Sequence, residues 1–204
     1  MEIGNSVFME YQKQVDLPTG QAGGSFKKLP QQNVDFGGGL ERIAAASNDD
    51  PDVFGIDLFA EIIQGIKLIS CKNYEGDDRT AMRVIADHLR SSIFMIGDGV
   101  IPSNSERGYI LRRLLRRAVR FSDKLGMKED SLASFASIIA EKYRGIYENV
   151  TTNISQIALE IKKEEEKFRE SLAGGLKMFE KISGQNISGY DAFILFSTHG
   201  FPFE

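Results

Sequence analysis

Six arginines stand within the twenty residues PSNSERGYILRRLLRRAVRF (102–121), in a chain of 204 residues whose formal net charge is −4. Guanidinium groups grip phosphates and carboxylates through paired N–H bonds, so such a block points to an anionic partner inside or outside the fold. At about 100° per residue, Arg112, Arg113, Arg116, Arg117 and Arg120 share an arc of roughly 140°. Ile110, Leu111, Leu114, Leu115, Ala118, Val119 and Phe121 fill the other side. The expectation is a helix with a buried apolar back and a solvent face of five positive charges. Like charges four residues apart cost a few tenths of a kcal/mol per pair, so something anionic must compensate. Two compensations stay open: acidic neighbours in the fold, such as glutamates 164–166, or an external polyanion. Upstream, Ser103 or Asn104 can cap the helix. Alternatively, the amide of Asn104 reads a base edge while the arginines hold the backbone. In the shallow minor groove of an RNA duplex an amide oxygen can accept from a guanine amine.

A second constellation is Gly37-Gly38-Gly39 followed by Arg42, between a short extended piece and a helix. Glycine lets a ligand approach the backbone, the helix start adds partial positive charge, and Arg42 on the first turn can reach a phosphate. Asp35, just before, is suited to an ammonium group. A plain turn is the other reading, and the pattern is neither the P-loop nor the dinucleotide fingerprint.

The elements that must position these residues follow from periodicity. Residues 5–15 are rich in Val, Phe and Tyr and predict a strand; DLPTGQAGGSFKKLP (16–30) predicts a loop. From Pro51 the pattern is helical: DVFGIDLFAEIIQGIKLI, then RTAMRVIADHLRSSIFMI with Met82, Ile85, Ala86, Leu89, Ile93 and Ile96 on one face. The arginine helix is expected to end at Gly126. EDSLASFASIIAEKY is another helix, and a long one follows whose apolar stripe is Ile154, Ile157, Ile161, Phe168, Leu172, Leu176 and Phe179. The tail SGYDAFILFSTHGFPFE predicts a short apolar run with no finishing element. The fold class is therefore mainly α with a small β-containing stub.

Hydrophobic residues make up 42% of the chain, enough for a real core. No stretch of about 18 apolar residues occurs, and MEIGNSVFMEYQ carries neither a basic leader nor an apolar core. The expected location is the cytoplasm. The single cysteine, Cys71, excludes an internal disulfide. The two histidines, His88 and His199, lie far apart, so no metal site is expected.

Taken in order, VDFGGGLERIAA, DRTAMRVIADHLRSSIFMIGDGVIPSNSERGYILRRLLRRAVR, IKKEEEKFRESLAGGLKMFE and FSTHGFPFE resemble the alanyl-tRNA synthetase family of class II aminoacyl-tRNA synthetases. The first resembles that class's motif 3, and the resemblance covers nearly the whole chain. It implies an ATP-dependent ligase, working with magnesium, that joins alanine to its tRNA through alanyl-adenylate. Residues 1–50 would end the antiparallel-sheet catalytic domain, and 51–204 would form the helical tRNA-recognition domain. On the same resemblance Arg42 is the catalytic, ATP-contacting arginine, Gly37 and Gly39 bind ATP, and Asn5, Val7 and Asp35 bind alanine. Asn104, Arg107, Arg112, Arg113, Arg116, Arg117, Arg120 and Glu204 would contact the tRNA acceptor stem, where the family reads a G·U wobble pair; Ser197 is the alternative to Glu204. Motifs 1 and 2, the editing domain and its zinc site belong to family regions outside these 204 residues, so the segment alone is expected to be inactive. The chain departs from the family pattern at Gly4, where Trp is usual: either a large pocket wall is removed, or the sequence is altered or divergent there. Phe36 stands for Thr and Gly38 for Met. Alternative readings are a stand-alone RNA-binding helical module and a protein-interaction domain whose arginines are internally paired.

Overall fold

The computed structural model describes residues 2–13, 25–182 and 187–199. The chain divides into two compact units, Met1–Asp57 and Leu58–Glu204.

In the first unit, β1 (Gly4–Lys13) pairs antiparallel with β2 (Phe26–Gly38), and α1 (Leu40–Ser47) follows. The strand β2 reaches back to Phe26, into the stretch expected to be loop, and forward through Gly37 and Gly38. The glycines are thus not a turn but the end of a strand, and only Gly39 leaves it, as the residue before α1. Gly39 donates its N–H to Ile3 O at 3.1 Å, extending the ladder by one bond. A 3-10 turn at Val53–Gly55 closes the unit; Asp52 caps it by accepting from Phe54 N–H at 3.0 Å. That turn interrupts what periodicity alone reads as one helix from 52.

The second unit is helical. α2 (Asp57–Ser70) leads to α3 (Gly76–Gly97), whose buried residues Met82, Ile85, Ala86, Leu89, Ile93 and Ile96 are the expected stripe. Asp77 and Asp78 in its first turn complement the helix dipole. α4 (Glu106–Lys124) packs along α3 and against α7. It ends as expected: Gly126 takes φ +71°, Gly126 N–H returns to Asp123 O at 2.9 Å, and Met127 N–H to Ser122 O at 3.0 Å. These two bonds are the Schellman closure, and the positive φ is what calls for glycine. The shorter α5 (Phe135–Lys142) and α6 (Glu148–Thr151) precede α7 (Ile154–Ile182).

The stripe of α7 departs from expectation at its middle. Ile157, Ile161 and Phe168 are buried, but between them so are Glu164 and Glu165, while Leu176 is exposed. The tail carries α8 (Gly189–His199), which apolar periodicity missed. A local signal announces it: Asp191 Oδ2 accepts from Ser188 N–H (3.0 Å), and Ser188 Oγ accepts from Asp191 N–H (3.2 Å). This reciprocal S-x-x-D capping box is legible in Ser-Gly-Tyr-Asp. The Ser188 hydroxyl, also donating at 2.6 Å, holds the Asp191 carboxyl below the usual carboxylate range. No helix among the described residues is long and apolar enough to cross a membrane.

Candidate functional site

The hairpin gathers its candidate residues by register. Asn5 lies opposite Gly37 and Val7 opposite Asp35. Directly opposed residues of an antiparallel pair share a face, and residues two apart share it too. Asn5, Val7, Asp35 and Gly37 therefore occupy one face. A Cβ built on Gly37 meets nothing within 4 Å among the described residues, so none of them accounts for the glycine, and a ligand can rest against its backbone. On the following turn, Arg42 Nη1 donates to Glu2 O at 3.0 Å, which ties the guanidinium to the start of β1 and leaves its other N–H groups available. Gly39 makes room for that arm: a Cβ there would press within 3.2 Å of Arg42 Cδ.

The opposite face corrects the expectation about Gly4. It pairs with Gly38 and lies on the Ser6–Phe36 side, away from Asn5 and Asp35. A Cβ at Gly4 would sit 3.0 Å from the Phe36 ring, and one at Gly38 3.1 Å from it. The ring from β2 covers both glycines, so Gly4 does not open the Asn5–Asp35 face.

In the helical unit the arginine face divides into two rows. Arg112, Arg116 and Arg120 are half-buried; Arg107, Arg113 and Arg117 are exposed. The expected surface of five outward charges is thus corrected, because α7 covers part of the face. Arg116 Nε donates to Glu164 Oε1 at 2.6 Å, with the guanidinium 5.2 Å from the Phe168 ring centroid. This pair is inside the fold: the Arg116 side chain is 22% exposed and that of Glu164 5%. The rest of the glutamate run serves other cations. Glu165 Oε1 accepts from Arg169 of its own helix (2.8 Å), and Glu166 lies 3.9 Å from Lys162. Arg169 also bridges to Asp123 at 2.8 Å; burial works against its charge, but the bonds to Asp123 and Glu165 prevail and raise its pKa. Arg113 lies over Tyr109 and Arg117 over Phe121. Arg107 has no hydrogen-bond or ion-pair partner among the described residues. Ile110, assigned to the apolar back, is exposed.

The loop before α4 folds onto its first turn. Ser103 N–H donates to Gly108 O at 3.0 Å, and Ser103 Oγ donates to Ser105 O at 3.0 Å. Ser105 is the residue before the helix and makes no side-chain cap, so neither Ser103 nor Asn104 acts as the cap that sequence allows. Asn104 instead uses its amide oxygen to accept from Arg112 Nη1. Gly108 is what lets the loop lie so close: a Cβ there would fall 2.2 Å from Ser103 Oγ and 2.5 Å from Ile101 O. That close approach is the feature sequence reasoning missed, and the RGY spacing carries no signal for it. Glu204 and residues 200–203 lie outside the described residues, as does the side chain of Ser197.

One further cluster sits at α3. The His88 hydrogen bond at 2.9 Å draws the Asp87 carboxyl below its ordinary range against the opposing effect of burial, with the charges of His88, Arg90 and Arg117 adding to the pull. Among the described residues no three His, Cys, Asp or Glu side chains are grouped to hold a metal ion.

The family model for tRNA synthetases class II (A) matches residues 1–204. The chain is 40% identical over 214 residues to an alanine–tRNA ligase of Pediococcus pentosaceus. It is 39% identical over 209 residues to one of Thermus thermophilus and 41% over 212 to one of Staphylococcus epidermidis. Each match covers 100% of this chain but 23% of the relative, so the chain spans about a quarter of the length of the curated relatives it matches.

Proposed function

Because the chain belongs to the tRNA synthetases class II (A), we propose that it is part of an alanine–tRNA ligase, an enzyme that attaches alanine to its tRNA through alanyl-adenylate at the expense of ATP. The observation that carries this reading is the match of the entire chain, at about 40% identity, to proteins of that name. Residues 1–50 contribute to the catalytic domain and 51–204 to tRNA recognition, in the cytoplasm.

The shared face of Asn5, Val7, Asp35 and Gly37 supports an alanine and nucleotide site. Asp35 supplies a carboxylate for the substrate ammonium, Asn5 a polar wall and Val7 an apolar one for a methyl side chain. Gly37 and Gly39 leave the backbone open to ATP, and Arg42 brings a charge fixed at one Nη1 to the phosphates. ATP bound there supplies the activated phosphoanhydride. Arg42 stabilises negative charge as it builds on that phosphate, the arrangement in which fixed donors are worth most. Magnesium has no grouped carboxylates among the described residues, and no role is assigned to it in this chain.

The exposed row Arg107, Arg113 and Arg117 supports contact with acceptor-stem phosphates, with Arg112, Asn104 and Arg120 beside it. Arg116 is held back by Glu164. The test has two parts. The 204-residue chain should show no alanine-dependent ATP–pyrophosphate exchange, because the hairpin leaves both its faces exposed and encloses no substrate. It should bind an alanine acceptor-stem RNA hairpin with a log-affinity against log-salt slope of roughly −3, taking about 0.9 per phosphate. Affinity independent of salt would sink the acceptor-stem reading.

A further inference from the structure

An aromatic ring stands among the arginines of α4. At 100° per residue, Tyr109 falls within about 10° of the middle of the arc shared by Arg112, Arg113, Arg116, Arg117 and Arg120, turned away from the apolar back of the helix. It does not fill the core; it is half-buried with two arginines against it. The guanidinium carbons of Arg112 and Arg113 lie 5.8 and 5.7 Å from the ring centroid, within the range at which a ring attracts a cation. They are its i+3 and i+4 neighbours, the positions a helix brings beside one side chain. Two adjacent like charges are thus gathered on one ring. Deeper on the face a carboxylate answers the arginine, as Glu164 does Arg116. Here none does. Among the described residues Arg112 bonds only the neutral amide oxygen of Asn104, Arg113 has no hydrogen-bond or ion-pair partner, and Glu106, one turn back, bonds none of the three. The Tyr109 hydroxyl has no hydrogen-bond partner among them either. A bare ring would suffice to hold the arginines, so the hydroxyl adds something further, a third donor beside two charged ones.

From this juxtaposition we infer that Tyr109, Arg112 and Arg113 form a phosphate seat on α4, in which the two guanidinium groups supply charge and the phenol O–H donates to a phosphate oxygen. The inference rests on the acceptor-stem reading above for the source of the phosphate, and it adds to that reading a residue that carries no charge. Guanidinium groups bond phosphate oxygens in pairs, and a phosphate keeps further lone pairs for a neutral donor such as a tyrosine hydroxyl. The ring keeps both guanidinium groups in place before the partner arrives, so less side-chain freedom is lost on binding. A phosphate contact fixes where a duplex lies and reads no sequence, so Tyr109 serves affinity and not the choice of base pair.

Two measurements on the 204-residue chain test this. The first titrates inorganic phosphate at an ionic strength held constant with chloride and follows nuclear magnetic resonance signals. Tyr109 Cζ and Arg113 Nε should move along one saturation curve, and Tyr109→Phe should weaken the Arg113 response about three- to 30-fold. A Tyr109 signal indifferent to phosphate, or an Arg113 curve the same in Tyr109→Phe as in the parent, would overturn the inference with no RNA present. The second measurement compares acceptor-stem hairpins carrying G·U and G·C. Tyr109→Phe should weaken both by the same factor, again about three- to 30-fold, and leave the salt slope unchanged, because a donor is lost and no charge. Arg113→Ala should weaken both and flatten the slope by about 0.9. If Tyr109→Phe binds both hairpins like the parent, or weakens the G·U hairpin alone, the hydroxyl is not on a phosphate, and the inference fails while the acceptor-stem reading stands. If neither hairpin binds with a salt dependence, the acceptor-stem reading falls, and the phosphate titration decides the seat by itself.

Discussion

At the scale of residues, arginines of one helix face have different jobs. Arg116 neutralises a buried carboxylate, so Arg116→Ala leaves Glu164 charged in a poor solvent. The expected cost is ~2–3 kcal/mol in urea denaturation, below the 3–5 of a fully buried pair because part of Arg116 is solvated. Its effect on the salt slope for RNA should be nil. Replacing Arg107, Arg113 and Arg117 by Ala should do the reverse, leaving the urea midpoint nearly unchanged and flattening the slope by roughly 2–3. If the two variants exchange these behaviours, the division of the face into rows is wrong. Gly4 and Phe36 are a second residue-scale case. The Phe36 ring occupies the space over Gly4, so Gly4→Trp, the residue usual in the family, should perturb β1. Phe36→Thr in the same chain should relieve it, with a coupling of about 0.5–1.5 kcal/mol read from amide exchange along β1.

Among elements, the 101–105 loop lies close against α4 at Gly108. Gly108→Ala places a methyl against Ser103 Oγ and the backbone oxygen of Ile101, and a backbone atom cannot swing aside as a flexible side-chain end can. The loop must lift, at about 1–3 kcal/mol, the usual penalty of overpacking. Since Asn104 rides on that loop, the variant should lose its discrimination between G·U and G·C hairpins while keeping most of its salt slope, because two of the three exposed arginines, Arg113 and Arg117, lie farther along the helix. The α4–α7 contact illustrates how far sequence carries an element. The 3.6 period of α4 was legible, as was its Gly126 ending. Its exposure was not, because a helical wheel locates a face but not the neighbour that covers it. Glu164 and Glu165 are invisible to a search for apolar stripes for the same reason: they are buried by virtue of Arg116 and Arg169, which lie 48 and 4 residues away.

For the molecule as a whole, the two units differ in what sustains them. The helical unit has a core that includes Ile66, Met82, Leu89, Leu111, Phe135 and Phe168, all 2% exposed or less, whereas Phe8, Val34 and Phe36 of the hairpin are more than 60% exposed. A two-stranded ribbon is marginal in water without further packing, so its amides should exchange far sooner than those of α3 and α4. Comparable protection in both would contradict this. Acid should weaken the helical unit through Asp87, whose folded carboxyl lies below its unfolded value near 3.9. A depressed acid contributes stability above its unfolded pKa and loses it as pH falls through the folded one, so the loss begins below about pH 4. Asp87→Asn should flatten that part of the stability curve. Sequence by itself determined the helical class, the stripes of α3 and α4, the Schellman end at Gly126 and, through motif order, the family, because these are properties of neighbours along the chain. Tertiary structure alone decided which arginines α7 withdraws from solvent, which face of the hairpin Asn5 shares with Asp35, and how closely the 101–105 loop lies on Gly108. Each of those depends on groups that meet only after folding, where a single register shift or one buried carboxylate changes what a side chain can reach.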